Sequence, residues 1–195
     1  MGKQLGLGKY LVIVSMALMP CLQNGALAST SVEVDSELKK ILLATVAEAD
    51  SFEDRFDAEV WLLQKSTVLK KFIADPDDRL SLLKEIHSAA KKADIPPEFV
   101  LALIEVESHF DPYAVSSAGA QGLMQVMPFW KKEIGREQDN LVNTRTNLRY
   151  GCTILKYYLN RADNHWAEAL ARYNGSYGKL WYPKRVMDAW DKHWR

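Results

Sequence analysis

The stretch ESHFDPYAVSSAGAQGLMQVMP, residues 107–128, follows the apolar run Phe99-Val-Leu-Ala-Leu-Ile104, itself entered through Pro96-Pro97. Prolines at the entrance and an unbroken apolar run predict a buried helix that ends near Glu107. On that helix Glu107 lies four residues after Leu103 and three after Ile104, so it shares their face. Glu105 sits roughly 200° away round the helix, by the ~100° step per residue, among Glu98, Leu101 and Ala102. One carboxylate is therefore expected to face the core or a cleft, and the other water. A glutamate on an apolar face is costly to ionise, and desolvation raises its pKa, which is the environment of a general acid. The plain structural alternative is a core-edge glutamate held by an arginine or lysine.

Working outward, Asp111-Pro112 is expected to end the helix, because a residue before proline avoids the helical region. Residues 116–122 are small and loop-like, and residues 123–127 form a short apolar turn that carries the amide of Gln125 and stops at Pro128. Upstream, Asp75-Pro76-Asp77-Asp78 marks a helix start, with an N-cap, an early proline and acids at the positive end of the dipole. This helix should run to about Ala93 with Leu80, Leu83, Ile86 and Ala90 inward. Two earlier helices are predicted over about 35–52 and 56–73, the second burying Phe56, Val60, Trp61, Val68, Leu69 and Phe72. Downstream, helices are predicted over 130–133, 147–161, 166–173 and 184–194, with turns at Asn174-Gly175 and Gly178. The expected fold is mainly α.

The chain has 195 residues, 48% apolar and 26% charged, an ordinary globular composition. Residues 1–28 carry Lys3 and Lys9 and no acid, so the remainder has 23 basic against 25 acidic residues. Such a balance lacks the basic footprint of a nucleic-acid binder. The first 28 residues read as a signal peptide: a positive start, an apolar core over 10–22 and Ala26-Leu27-Ala28 as cleavage site. No later stretch approaches the ~20 apolar residues of a membrane span. The mature protein is expected to be exported to the periplasm in soluble form, with lipidation at Cys21 as the rival reading. Pro20 before that cysteine fits lipidation poorly. Cys152, in Gly151-Cys-Thr-Ile-Leu155, reads as a buried helix residue rather than a nucleophile.

His87, His109, His165 and His193 fall at no metal-ligand spacing, and neither a nucleophile elbow nor a phosphate-cradling glycine loop occurs. No metal or cofactor is called for, and acid/base chemistry at Glu107 remains. Here the residues resemble a known family. Glu107-Ser108, Gly119-Ala120, Gly122-Leu123-Met124-Gln125 and Met127-Pro128 are similar to the E-S … G-A-x-G-L-M-Q-x-M-P signature of the soluble lytic transglycosylases. Asn147-Leu148-Arg149-Tyr150-Gly151 resembles their N-I-x-x-G segment, and Ala171-Arg-Tyr-Asn-Gly175 their Y-N-G segment. The resemblance covers about residues 80–190.

It implies a lysozyme-like helical domain of the goose-type and lytic transglycosylase kind, with at most a vestigial β element. The division is then a signal peptide (1–28), a helical extension (29–75) and a catalytic domain (76–195). It also implies cleavage of the β-1,4 bond between N-acetylmuramic acid and N-acetylglucosamine in peptidoglycan, leaving 1,6-anhydromuramic ends. Carried over by position, Glu107 is acid and then base, and Ser116 orients substrate or Glu107. Gln125 and Met127 line the cleft, Tyr173 sits beside the glutamate and Asn174 shapes its loop. Most glycosidases use two carboxylates. Here Glu105 is expected to face away and Asp111 to form a turn, so one acid is left and the substrate must supply the rest. Arg172 departs from the family pattern, either as a cation near acidic lactyl or peptide groups or as a surface residue. The aromatic segment 177–183 is either a sugar-stacking wall or packing for the last helix through Trp181 and Tyr182. Two other functions stay open: a hydrolytic muramidase or chitinase-like enzyme on the same fold, and a non-catalytic glycan-binding factor. In the latter, residues 29–75 would dock on an envelope protein.

Overall fold

Asp75 caps the helix expected to begin there: its carboxylate accepts from the backbone N–H groups of Asp77 and Asp78, at 2.8 and 3.2 Å. Such a cap is worth about 1 kcal/mol. The computed structural model describes residues 50–195 together with Lys40, Leu42, Leu43 and Thr45. The chain divides into two units, Met1–Glu33 and Val34–Arg195, and all described residues belong to the second. The expected signal peptide, Cys21 and most of the helix predicted over 35–52 lie outside the described residues.

The elements are α1 (Arg55–Leu69), α2 (Pro76–Lys92), α3 (Pro97–Ser108), α4 (Trp130–Ile134), α5 (Thr144–Arg161), α6 (Trp166–Tyr173) and α7 (Trp181–Ala189). A π-helical turn, Trp190–Trp194, follows α7. Among the described residues there is no strand, only the isolated antiparallel bridges Val115–Gln121 and Gln121–Val126. The fold is mainly α, with a vestige of β structure in the loop after α3.

The central element is α3. Every residue from Phe99 to Ile104 is buried, as a helix apolar all round must be. It is flanked by α2, α7 and the π-turn, while α5 packs on α2 and α6, and α6 on α7. Phe99 lies stacked between Trp166 and Trp190, with ring centroids 4.0 and 4.7 Å away. Left-handed His109 (φ 51°) and Phe110 (φ 66°) terminate α3. The helix thus ends at Ser108, three residues before the Asp111-Pro112 step predicted to end it.

The inner face of α1 differs from the expected one. Phe56 is 70% exposed and Val60 is also exposed, whereas Ala58, Leu62, Lys65, Ser66 and Leu69 are buried. Apolar periodicity misled because two polar residues belong to the inner stripe. Lys65 donates to the Trp194 carbonyl at 2.6 Å, and Ser66 Oγ accepts from Arg79 Nε at 3.0 Å. The helix ends at Leu69, although Phe72 and Ile73 still pack on the core. Similarly, α5 begins at Thr144 because Asn143 caps it by accepting from Thr146 N–H, and α7 begins at Trp181 rather than Lys184.

Leu62 sits fully buried in the same cluster as Leu80, Leu101 and Trp194. Leu62→Ala is expected to cost about 2–5 kcal/mol of stability in urea denaturation. A cost below about 0.5 kcal/mol, typical of a surface site, would show α1 to be a detachable appendage.

Candidate active site

Three sequence blocks converge on the turn formed by residues 122–126. Gly122 has φ +73°, and a Cβ there would lie 2.5 Å from Asn147 Nδ2 and 2.6 Å from the Leu141 carbonyl. Only glycine fits. Asn147, buried on α5, accepts from Met124 N–H at 2.8 Å and donates to the Gln121 and Leu141 carbonyls at 2.8 and 2.7 Å. Gly151, one turn later, leaves room for the Met124 side chain, which a Cβ would strike. From α6, the Tyr173 hydroxyl donates to the Met124 carbonyl at 2.7 Å. Ser108, at the end of α3, donates to the Leu123 carbonyl at 2.8 Å. The loop is therefore pinned from three helices, one of which carries Glu107.

Glu107 is half-buried, and its carboxyl pKa is pushed up to about 7. Burial is the main cause. A hydrogen bond from the Tyr182 hydroxyl to Oε1 and the positive charge of Arg185 act in the opposite direction. No carboxylate is among the groups that shift it. The acid thus loses its proton near neutrality, in the range useful to a general acid that must also serve as a base. Tyr173 is close enough for the charge of Glu107 to add to burial in pushing its phenol well above the ordinary value. Among the described residues no cluster of His, Cys, Asp and Glu could hold a metal.

Glu105 does not face water as expected. It accepts from Trp194 Nε1 at 2.7 Å and pairs with His193 Nδ1 at 2.9 Å. The reason is the π-turn, which brings His193 and Trp194 over Glu105. Asp111 forms the expected turn, accepting from Tyr113 N–H at 2.8 Å.

Of the other expected site residues, Gln125 and Tyr173 meet at the pinned turn. Gln125 has φ 47° and donates its amide to the Ala114 and Gly122 carbonyls at 3.1 and 3.0 Å. Ser116 is exposed at the outer end of the loop, its hydroxyl accepting from Ala120 N–H at 3.0 Å. Met127 is half-buried just past the turn, and exposed Asn174 caps α6 through its backbone N–H. Arg172 is held by Glu168 at 2.6 Å and lies over the Tyr177 ring at 4.1 Å. Cys152 is fully buried with its thiol pushed up to about 12, a packing residue.

Sequence reasoning missed Tyr182 and Arg185 as neighbours of Glu107. Tyr182 is 2% exposed, while Trp181 beside it is 51% exposed. A signal existed. Tyr182, Val186 and Ala189 share the inward face of α7, and a buried phenol needs a hydrogen-bond partner.

Residues 84–192, more than half of the chain, match the family described as the transglycosylase SLT domain. The chain belongs to that family. It is 54% identical over 43 residues, 22% of its length, to the membrane-bound lytic murein transglycosylase C of Actinobacillus pleuropneumoniae, covering 12% of that protein. It is 32% identical over 99 residues, 49% of its length, to the membrane-bound lytic murein transglycosylase D of Escherichia coli, covering 22% of it. A lytic transglycosylase Slt structure from Pseudomonas aeruginosa aligns over 78% of this chain and 33% of that one, with 18% identity and a TM-score of 0.44. The SLT chain thus spans a third or less of the length of each of these proteins. The SLT match begins within α2, so α1 lies ahead of it.

The raised carboxyl of Glu107 has a consequence for stability. A group with a native pKa above its unfolded value of 4.5 contributes stability in full below pH 4.5, and that contribution is lost as pH rises through about 7. Wild-type stability should fall by on the order of 3 kcal/mol across that window, and Glu107→Gln should abolish the fall. Urea denaturation from pH 4 to 8 measures it; parallel curves for the two proteins would contradict the burial of this acid.

Proposed function

We propose that this SLT protein is a peptidoglycan lytic transglycosylase, cleaving the β-1,4 bond from N-acetylmuramic acid to N-acetylglucosamine with Glu107 as acid and then base. One observation carries the proposal: Glu107 is half-buried with its pKa pushed up to about 7 by burial, and among the described residues no carboxylate is one of the groups that shift it. The usual two-carboxylate schemes need a second acid beside the scissile bond. With one acid, the substrate supplies the nucleophile.

In the first step neutral Glu107 donates its proton to the glycosidic oxygen as the C1–O4 bond breaks. The N-acetyl carbonyl of the muramic acid supports the positive charge at C1. In the second step the Glu107 carboxylate takes the proton of the C6 hydroxyl, whose oxygen bonds to C1. The proton lost in the first step returns in the second, and no water is consumed. Tyr182 acts as a positioning residue, fixing Oε1 by its hydroxyl. Gln125 and Tyr173 keep the loop beside the acid in one shape, which favours a bound geometry close to reaction. Ser116, Met127 and Asn174 are the remaining candidate contacts to the glycan along that loop and after α6.

The site of action is the periplasmic face of the cell envelope. The positive start, apolar core and Ala26-Leu27-Ala28 of residues 1–28 support export. The relatives named as membrane-bound fit the same compartment. Among the described residues no helix is long and apolar enough to cross a membrane.

Mass spectrometry of digested cell wall tests the chemistry, because an anhydro end is lighter by one water than a reducing end. Anhydro products from the wild type and at least about a 100-fold loss in Glu107→Gln are expected. Reducing ends alone would identify a hydrolase, and turnover by Glu107→Gln would remove the acid from its role. Tyr182→Phe deletes the bond that holds the Glu107 pKa down. The basic limb of kcat/KM should therefore move to higher pH in that variant, and an unmoved limb would leave Tyr182 with packing alone.

A further inference from the structure

The last helical segment is fastened at both ends to the helix that carries the acid. Tyr182, in the first turn of α7, donates its hydroxyl to Glu107 Oε1. Trp194, at the far end of the π-turn, donates its indole N–H to Glu105 Oε2 at 2.7 Å. Between these points the backbone stays helical, with Ala189 at φ −65°, ψ −44° and Trp190 at φ −59°, ψ −51°. α7 and the π-turn are therefore one stiff piece, and a displacement at one end is carried to the other. Its middle is held by apolar packing, Trp190 stacked on Phe99 at 4.7 Å. Such packing is non-directional and tolerates sliding more readily than a hydrogen bond does.

Trp194 is itself held from α1. Lys65 is 4% exposed, and its ammonium donates to the Trp194 carbonyl at 2.6 Å. Burying an ammonium is costly, and an apolar side chain of similar size would fill the same place without that cost. What the lysine adds is a directed bond to one carbonyl of the π-turn.

We propose that Lys65 and Trp194 are positioning residues for Glu107: together they hold the α7–π-turn segment in the register at which Tyr182 meets the acid. The proposal rests on Glu107 being the catalytic acid. Both side chains are buried away from substrate, so their loss acts on the acid and not on glycan binding. The groups that face Glu107 are Tyr182 and Arg185 from α7 and Tyr173 from α6. Those at Glu105 are Trp194, His193 and Lys71. Tyr182 and Arg185 both favour the charged form of Glu107, and both ride on α7. Slippage of the segment should therefore raise the pH at which Glu107 loses its proton.

Carbon NMR of the Glu107 carboxyl in the full chain follows that titration, with Tyr182→Phe as the reference for a lost bond. Lys65→Met and Trp194→Phe each delete one link while keeping most of the bulk. Both should move the titration upward by about half a pH unit or more, in the direction of Tyr182→Phe. On soluble glycan fragments both should lose about tenfold in kcat with KM unchanged. Ser66→Ala, which removes the bond from Arg79 to the next residue of α1, loosens α1 without touching the π-turn and should leave the titration in place. A titration unmoved in either Lys65→Met or Trp194→Phe, or a loss in KM rather than kcat, overturns the proposal. An equal movement in Ser66→Ala also overturns it, because general loosening of α1 would then suffice. If one of the two variants does not fold, the other still decides. Turnover by Glu107→Gln would refute the catalytic reading separately, while the NMR titration still reports whether these residues position the acid.

Discussion

The constraint on which the molecule depends is the complete burial of α3. A helix that hides Phe99 through Ile104 on every side needs neighbours all round it, and α2, α7 and the π-turn provide them. The polar residues at its C-terminal end then have little access to water. Each is answered by a specific partner: Glu105 by Trp194 and His193, Glu107 by Tyr182, and Ser108 by the Leu123 carbonyl. A buried polar group without a partner costs about 1–3 kcal/mol, so these pairings fix how α7, the π-turn and the loop after α3 can be placed.

The two glutamates show how environment separates like groups. Glu105 accepts from the Trp194 indole and lies beside His193 and Lys71. Glu107 has one hydroxyl and a more distant cation against its burial, so its proton is retained to near neutrality. Two residues apart on one helix, they meet different partners. The difference comes from which element covers each of them rather than from the helix that carries both.

Much of this was legible in the chain. Asp75, Pro76 and the acids after it fixed the start of α2, and the apolar run of α3 announced a buried helix ending at Glu107. The motif residues Gly122, Asn147, Gly151 and Tyr173 now have physical reasons: two close approaches that exclude a side chain, one triply bonded amide and one hydroxyl. What periodicity could not reach were polar residues on inner faces. The partners of Lys65 and Tyr182 lie far along the chain, 129 residues away for Lys65 and 75 for Tyr182, while that of Ser66 is Arg79 on the next helix. Such pairings leave no local trace. Glu105 was misread for the same reason, its partners lying 88 and 89 residues away.

Lys65 joins these observations. It is buried, its pKa is lowered mainly by that burial, and its ammonium donates to the backbone carbonyl of Trp194. The indole of the same Trp194 donates to Glu105, two residues before the candidate catalytic acid. A lysine on α1, ahead of the family match, thus leads through one tryptophan to the end of α3. The buried ammonium is tolerable because it has a strong acceptor and Glu98 nearby. The segment ahead of the match is in this way part of what holds the C-terminal turn against α3. The geometry at Glu107 depends on more of the chain than the residues that define the family.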